Sequence, residues 1–175
     1  MVRLLVLGFA LLIGALPVAA QTLVTVTGAV EAPNRGAFDP AVDKFLGHHD
    51  VRFDRAFAFD AAALAALPQV TVQADFPKGE AVHAFAGPLL ADVLAVAGAD
   101  GQTVSVQALD GYAVEAPVAE MVAQGAVLAT SRDGQALGIG DFGPVWVVFP
   151  RAERADLKDM DDGRWVWSVF HIRIE

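Results

Sequence analysis

Between Val104 and Arg151 the chain reads as two Asp-Gly turns set on either side of one short helix, and that order leaves few folds open. Val104 and Val106 alternate with Ser105 and Gln107, the period of a strand with one buried face. Asp110-Gly111 predicts a tight turn, because Gly tolerates positive φ and Asp caps its own turn. Pro117 is placed to open a helix where its missing N–H has no intrahelical partner. Val118, Met121 and Val122 give that helix an apolar stripe, and Gly125 ends it. Val127 to Ser131 then predicts a strand, Asp133-Gly134 a second turn, and Val145 to Phe149 a strand stopped by Pro150.

The flanking segments obey the same rules. Leu23 to Val30 alternates Val24 and Val26 against Thr25 and Thr27, a strand. Glu31 to Asp50 is irregular, with a helical turn at 41–46. Arg52 to Phe59 places Phe53, Phe57 and Phe59 on alternate positions. Asp60 is a good N-cap for the Ala-rich helix 61–67, which Pro68 ends. Strands follow at Val70 to Ala74 and Val82 to Phe85, around a loop at Asp75 to Gly79. Leu90, Val93, Leu94 and Ala97 stripe a helix over 89–97, closed by Gly98 and Gly101. Arg151 to Gly163 is expected as a charged surface loop. Trp165 to Ile174 is expected as a last strand, with Val166, Phe170, Ile172 and Ile174 on one face and Trp165, Trp167, Val169, His171 and Arg173 on the other. The expectation is one α+β domain over residues 21–175, with a mixed sheet and short helices.

Residues 1–20 read as a signal peptide. Arg3 is the charged start, Leu4 to Leu16 the apolar run, and Val18-Ala19-Ala20 a small-residue cleavage site. The run is short for a spanning helix, which needs about 20 apolar residues. Removing it takes away Arg3 alone among charged residues, and the formal net charge moves from −9 to −10. Such a surface repels nucleic acid and anionic lipid. The chain has no cysteine, so it offers neither a disulfide nor a thiolate.

The order of short motifs resembles the sulfite-oxidase-type molybdopterin-binding domain family. Its "DGY" turn matches Asp110-Gly111-Tyr112. Its later pieces match Leu128-Ala129, Asp133-Gly134 with Leu137, Gly143-Pro144 and Phe149-Pro150. Upstream, Phe59 to Gln73 resembles the family's "LP" segment, Phe85 to Gly98 its "PL.D(L/V)L..AG" segment, and the strand Leu23 to Val30, with Gly28 in the glycine place, its "V.V.G.V" opening. The resemblance implies the family's fold and a pterin or molybdopterin cofactor. Catalytic members hold molybdenum through the pterin dithiolene and one cysteine. The corresponding region here, Val70 to Gly79, has none, and a soft metal loses its thiolate ligand. The resemblance therefore points to the small cysteine-free periplasmic branch, in which the domain binds a pterin without metal. Some of its members pass the ligand state to the periplasmic part of a membrane-bound cyclic-di-GMP enzyme. The alternative is a molybdopterin-dependent oxidoreductase, or a subunit of one.

A pterin is a flat heteroaromatic ring with a donor–acceptor edge. It needs an aromatic face for stacking and a carboxylate or backbone groups for that edge. Phe76, Tyr112, Trp165 and Trp167 are candidates for the face. Asp75, Asp110 or Asp133 could pair with the edge, and Ser131, Arg132 and Arg151 could reach a side chain or an anionic tail. Each also has an ordinary structural reading, the tryptophans as packing and the aspartates as turn residues. His48-His49-Asp50 lacks further ligands at metal-binding spacing. His83 and His171 lie within predicted strands and read as structural. There is no nucleophile elbow, no phosphate-binding glycine loop and no evident catalytic carboxylate pair.

Overall fold

A computed structural model describes residues 21–175; the expected signal peptide, 1–20, lies outside the described residues. The expected α+β class holds. A five-stranded sheet has the order β2-β1-β11-β5-β6, from Phe57–Asp60 (β2), Thr22–Gly28 (β1), Val169–Ile174 (β11), Thr103–Ala108 (β5) and Ala113–Pro117 (β6). All its neighbours pair antiparallel except β1 and β11, so the sheet is mixed. A second sheet runs β3-β4-β8-β9, from Gln69–Asp75 (β3), Val82–Pro88 (β4), Ser131–Arg132 (β8) and Gln135–Ala136 (β9). Val127–Ala129 (β7) pairs with Trp146–Val148 (β10), and the backbone of β7 passes close against β4. Four short α-helices, Lys44–His48 (α1), Ala61–Ala66 (α2), Leu90–Ala97 (α3) and Val118–Ala123 (α4), and two 3-10 turns, Ala155–Leu157 and Asp162–Arg164, complete the described elements.

Local sequence explains the helices. Asp60 accepts the Ala63 N–H at 2.7 Å and caps α2. The α3 stripe of Leu90, Val93, Leu94 and Ala97 is wholly buried, and Gly98, at φ 58°, closes the helix in the left-handed conformation. In α4 only Met121 is fully buried, while Val122 stays 40% exposed. Truncating an inward residue such as Leu90 to alanine would cost about 2–5 kcal/mol.

The main core lies between the sheets, where Val24, Phe59, Phe85, Leu90, Trp146, Phe149 and Ile172 are all at or below 1% exposure. A smaller cluster, Leu46, Val51 and Phe170, holds the 31–56 excursion against the outer face of the five-stranded sheet. Gly87 lets β4 and β7 approach: a Cβ there would lie 2.1 Å from the Leu128 carbonyl oxygen.

Several sequence expectations change. The last strand does not begin at Trp165. Ser168 takes a positive φ of 53°, which breaks the alternation and leaves Val169–Ile174 as the strand. As the centre of its sheet, β11 is buried on both faces over Val169–Ile172. The strand expected at Val127–Ser131 divides at Thr130 between two sheets. The strand expected from Arg52 is confined to β2. The 151–163 segment is not all surface: Arg151 is 4% exposed and Leu157 is buried.

Candidate functional site

Three turns converge at one end of β5 and β11. The first joins β5 to β6, where Gly111 adopts φ 91° and Asp110 Oδ1 accepts the Tyr112 N–H at 2.9 Å. The second follows β3, where the chain leaves Asp75 and presents Phe76. The third is a 3-10 turn at Asp162–Arg164 whose N-cap, Asp161, accepts the Gly163 N–H at 2.7 Å. The Tyr112 hydroxyl donates to the Gly163 carbonyl at 2.8 Å and ties the first turn to the third. Between them lies a cavity of about 250 Å³ lined by Phe76, Asp110, Tyr112, Asp162, Trp165 and Trp167, with Ala108 at its floor.

Its walls are aromatic and layered. Phe76 stacks on Trp165 at 5.6 Å between centroids and meets Trp146 edge-on at 4.8 Å. Phe142 stacks on Trp146 at 4.3 Å and meets Trp167 edge-on at 6.2 Å. Trp167 and Tyr112 are 39% and 50% exposed, so ring surface remains free for a ligand. Trp165 is buried, and its indole N–H has no acceptor among the described residues. Buried polar groups in folded proteins are usually paired, so this enclosed donor is an exception. Asp110 Oδ2 likewise has no protein donor among the described residues.

Arg151 holds the frame behind the cavity. Its Nε donates to Asp75 Oδ1 at 2.7 Å, and its Nη1 to Asp162 Oδ1 at 2.7 Å and to the Met160 carbonyl at 2.9 Å. Its Nη2 donates to the Asp75 carbonyl, and the guanidinium lies 4.5 Å over the Trp165 ring. Burial would raise the Asp75 carboxyl, but the Gly79 backbone N–H and the Arg151 guanidinium outweigh it and hold the group below its ordinary value.

The structure thus gathers Phe76, Asp110, Tyr112 and Trp167 round one cavity. It sets Arg151 behind them, joined to two carboxylates. Ser131, Arg132 and Asp133 lie on or beside β8 and do not line the cavity. Arg132 sits 5.6 Å over the Phe142 ring. Asp133 accepts from the Ala84 N–H at 2.9 Å and meets His83 Nδ1 at 2.6 Å; the first contact chiefly, and the histidine next, lower its carboxyl from the ordinary value. Sequence reasoning missed Asp162, although Asp162-Gly163 is an Asp-Gly pair of the same kind as Asp110-Gly111 and Asp133-Gly134. It also missed Phe142 and Trp146, whose role depends on contacts distant in the chain.

Two larger clefts flank the 31–56 segment. One, of about 580 Å³, includes Val42, Phe45, Leu109, Ile139 and Phe170. The other, of about 670 Å³, is polar and includes Arg52, Arg55, His171 and Arg173. Neither joins a stacked aromatic wall to a free carboxylate, so size does not select them. The donor set does not fit a protein-ligated molybdenum, since no cysteine exists to supply the thiolate. No group of three or more His, Asp or Glu poised for a metal is found among the described residues. The aromatic walls and the free Asp110 carboxylate oxygen fit a flat heteroaromatic ring with a donor edge, such as a metal-free pterin.

No family model matches the chain, and no curated protein matches it in sequence. Solved structures do match in shape. The crystal structure of the sulfane dehydrogenase SoxCD from Paracoccus pantotrophus superposes with a TM-score of 0.60 at 16% identity. The match covers 92% of this chain and 40% of that chain. The chain therefore spans well under half the length of that protein and shares its fold. The sulfite-oxidase-like architecture expected from the motif order is the architecture present.

Proposed function

We propose that this protein is an exported pterin-binding module that works without molybdenum catalysis and signals its ligand state to a membrane-bound cyclic-di-GMP enzyme. One observation carries the reading: Phe76, Tyr112, Trp165 and Trp167 converge on one cavity with Asp110 at its rim. Stacking on the free ring faces would supply affinity. Asp110 Oδ2 would accept from the amino-pyrimidine edge of the ligand. A cavity of about 250 Å³ suits a bicyclic ring without a long tail, just below the ~300–1,000 Å³ of drug-sized sites. The apolar leader reading at 1–20 supports export, and the motif resemblance supports the periplasmic partner.

Calorimetric titration of the purified protein with oxidised and tetrahydro neopterin tests the binding step. Saturable one-to-one binding in the micromolar range is expected. Absence of heat up to high micromolar ligand would overturn the reading. The fold shared with a dehydrogenase favours one second reading, a molybdopterin-dependent oxidoreductase or a subunit of one. Stoichiometric molybdenum in protein purified from its own host would establish it instead.

A further inference from the structure

We infer, on the reading that the cavity holds a pterin, that the site selects unphosphorylated pterins that are uncharged or cationic and turns away forms bearing a phosphate. The inference rests on the charges around the cavity. Asp110 and Asp162 stand on the lining, and Asp75 lies directly behind. Only one guanidinium meets them, that of Arg151, so this group of four carries a formal charge of −2.

Arg151 cannot turn to serve a ligand. Its side chain is 2% exposed, and its nitrogens already bond two carboxylates and two backbone carbonyls. Releasing it would leave Asp75 and Asp162 facing one another without a counter-charge. Lys78, Arg164 and Arg132 each lie against another group. Lys78 Nζ lies 3.9 Å from Asp159 on the surface, while its backbone N–H already serves Asp162 at 3.0 Å. Arg164 pairs with Glu120. Arg132 lies over the Phe142 ring, 4.0 Å from Asp141, and does not line the cavity. Two of the turn N–H groups are already taken, that of Tyr112 by Asp110 and that of Gly163 by Asp161.

A phosphate monoester carries about −1.5 to −2 charge at neutral pH, and sites built for it present guanidinium groups or converging N–H donors. Here it would meet carboxylates. Molybdopterin, which ends in a phosphate, falls under the same exclusion whether or not metal is bound. An unphosphorylated ring instead presents its amino-pyrimidine donors to Asp110, where negative charge is favourable.

The test compares neopterin with its monophosphate by calorimetry on the whole protein, across a salt series, and repeats both titrations on Asp110→Asn. The monophosphate should bind about tenfold more weakly at physiological salt. That ratio should shrink as salt rises and in the variant. A monophosphate that binds as tightly as neopterin overturns the inference while leaving the pterin reading standing, as does a ratio that neither salt nor Asp110→Asn alters. If neopterin itself gives no binding, the pterin reading falls and this inference with it.

Discussion

Replacing Arg151 by methionine keeps the length and apolar stem of the side chain and removes the guanidinium. Two carboxylates, 17% and 31% exposed at Asp75 and Asp162, are then left facing each other, and two backbone carbonyls lose their donor. Removing one partner of a buried ion pair costs about 3–5 kcal/mol. Both acids here keep some water, which places the expected loss near ~3 kcal/mol. For a domain of this size that lowers Tm by about 6–12 °C. The folded-state Asp75 carboxyl lies below its ordinary value. Its contribution is therefore complete above the unfolded value of about 3.9 and is lost as pH falls through the folded one. The guanidinium's share of that depression is missing in the variant. The stability gap between the two proteins should be full at neutral pH and narrow below about pH 4. Urea denaturation across pH measures it, and Asp75→Asn in the Arg151→Met background should recover part of the loss. A gap under ~1 kcal/mol at neutral pH, the level of an exposed pair, or one that widens on acidification, refutes the reasoning.

Trp167→Ala should weaken neopterin binding about tenfold, from the ~1–3 kcal/mol of a stacked ring. Because Trp167 is 39% exposed, the thermal midpoint should barely move; calorimetry and a melt together decide this. Burial first, and the Arg173 charge second, push His171 down to about 4, against ~6.5 unfolded. Its neutral form lies between Thr27 Oγ1 at 2.8 Å and Gln107 Oε1 at 3.2 Å. The stability it contributes is full above about pH 6.5 and falls by roughly 3 kcal/mol as pH drops to about 4. His171→Asn should flatten that slope in urea midpoints. Gly87→Ala should cost at least about 1–3 kcal/mol, because its Cβ would meet the Leu128 backbone at 2.1 Å; an unchanged melt would show that β4 and β7 sit further apart.

Elements set by neighbours in the chain were legible from sequence. The Asp60 cap, the α3 stripe with its Gly98 stop, and the Asp110-Gly111 turn need only residues a few positions apart. The break at Ser168 was hidden, because Trp165 to Ile174 alternates as a strand should. What overrides the pattern is distant: the Ser168 N–H donates to the Phe142 carbonyl at 2.9 Å and its hydroxyl to the Gly143 carbonyl at 2.8 Å. Arg151 and Asp75, 76 residues apart, left no local trace of their pairing either. Phe76 and Tyr112 were legible as aromatics in loops. That they share a cavity depends on the Tyr112–Gly163 tie across 51 residues, which no spacing rule predicts.

The parallel pairing of β1 with β11 has a consequence for how the chain acquires its shape. The middle strand of the five-stranded sheet follows every other strand of the fold in the chain, and it alone joins β1 to β5. While the polypeptide is being made, the β1–β2 pair and the β5–β6 hairpin can form only as separate ribbons, each with an unpaired inner edge. Isolated two-stranded ribbons are marginal in water, and pairings between distant segments form slowly. Closure must wait until Val169–Ile174 emerges from the ribosome. Until then the molecule remains open, a state that a translocating machine could thread and that a chaperone would need to shield.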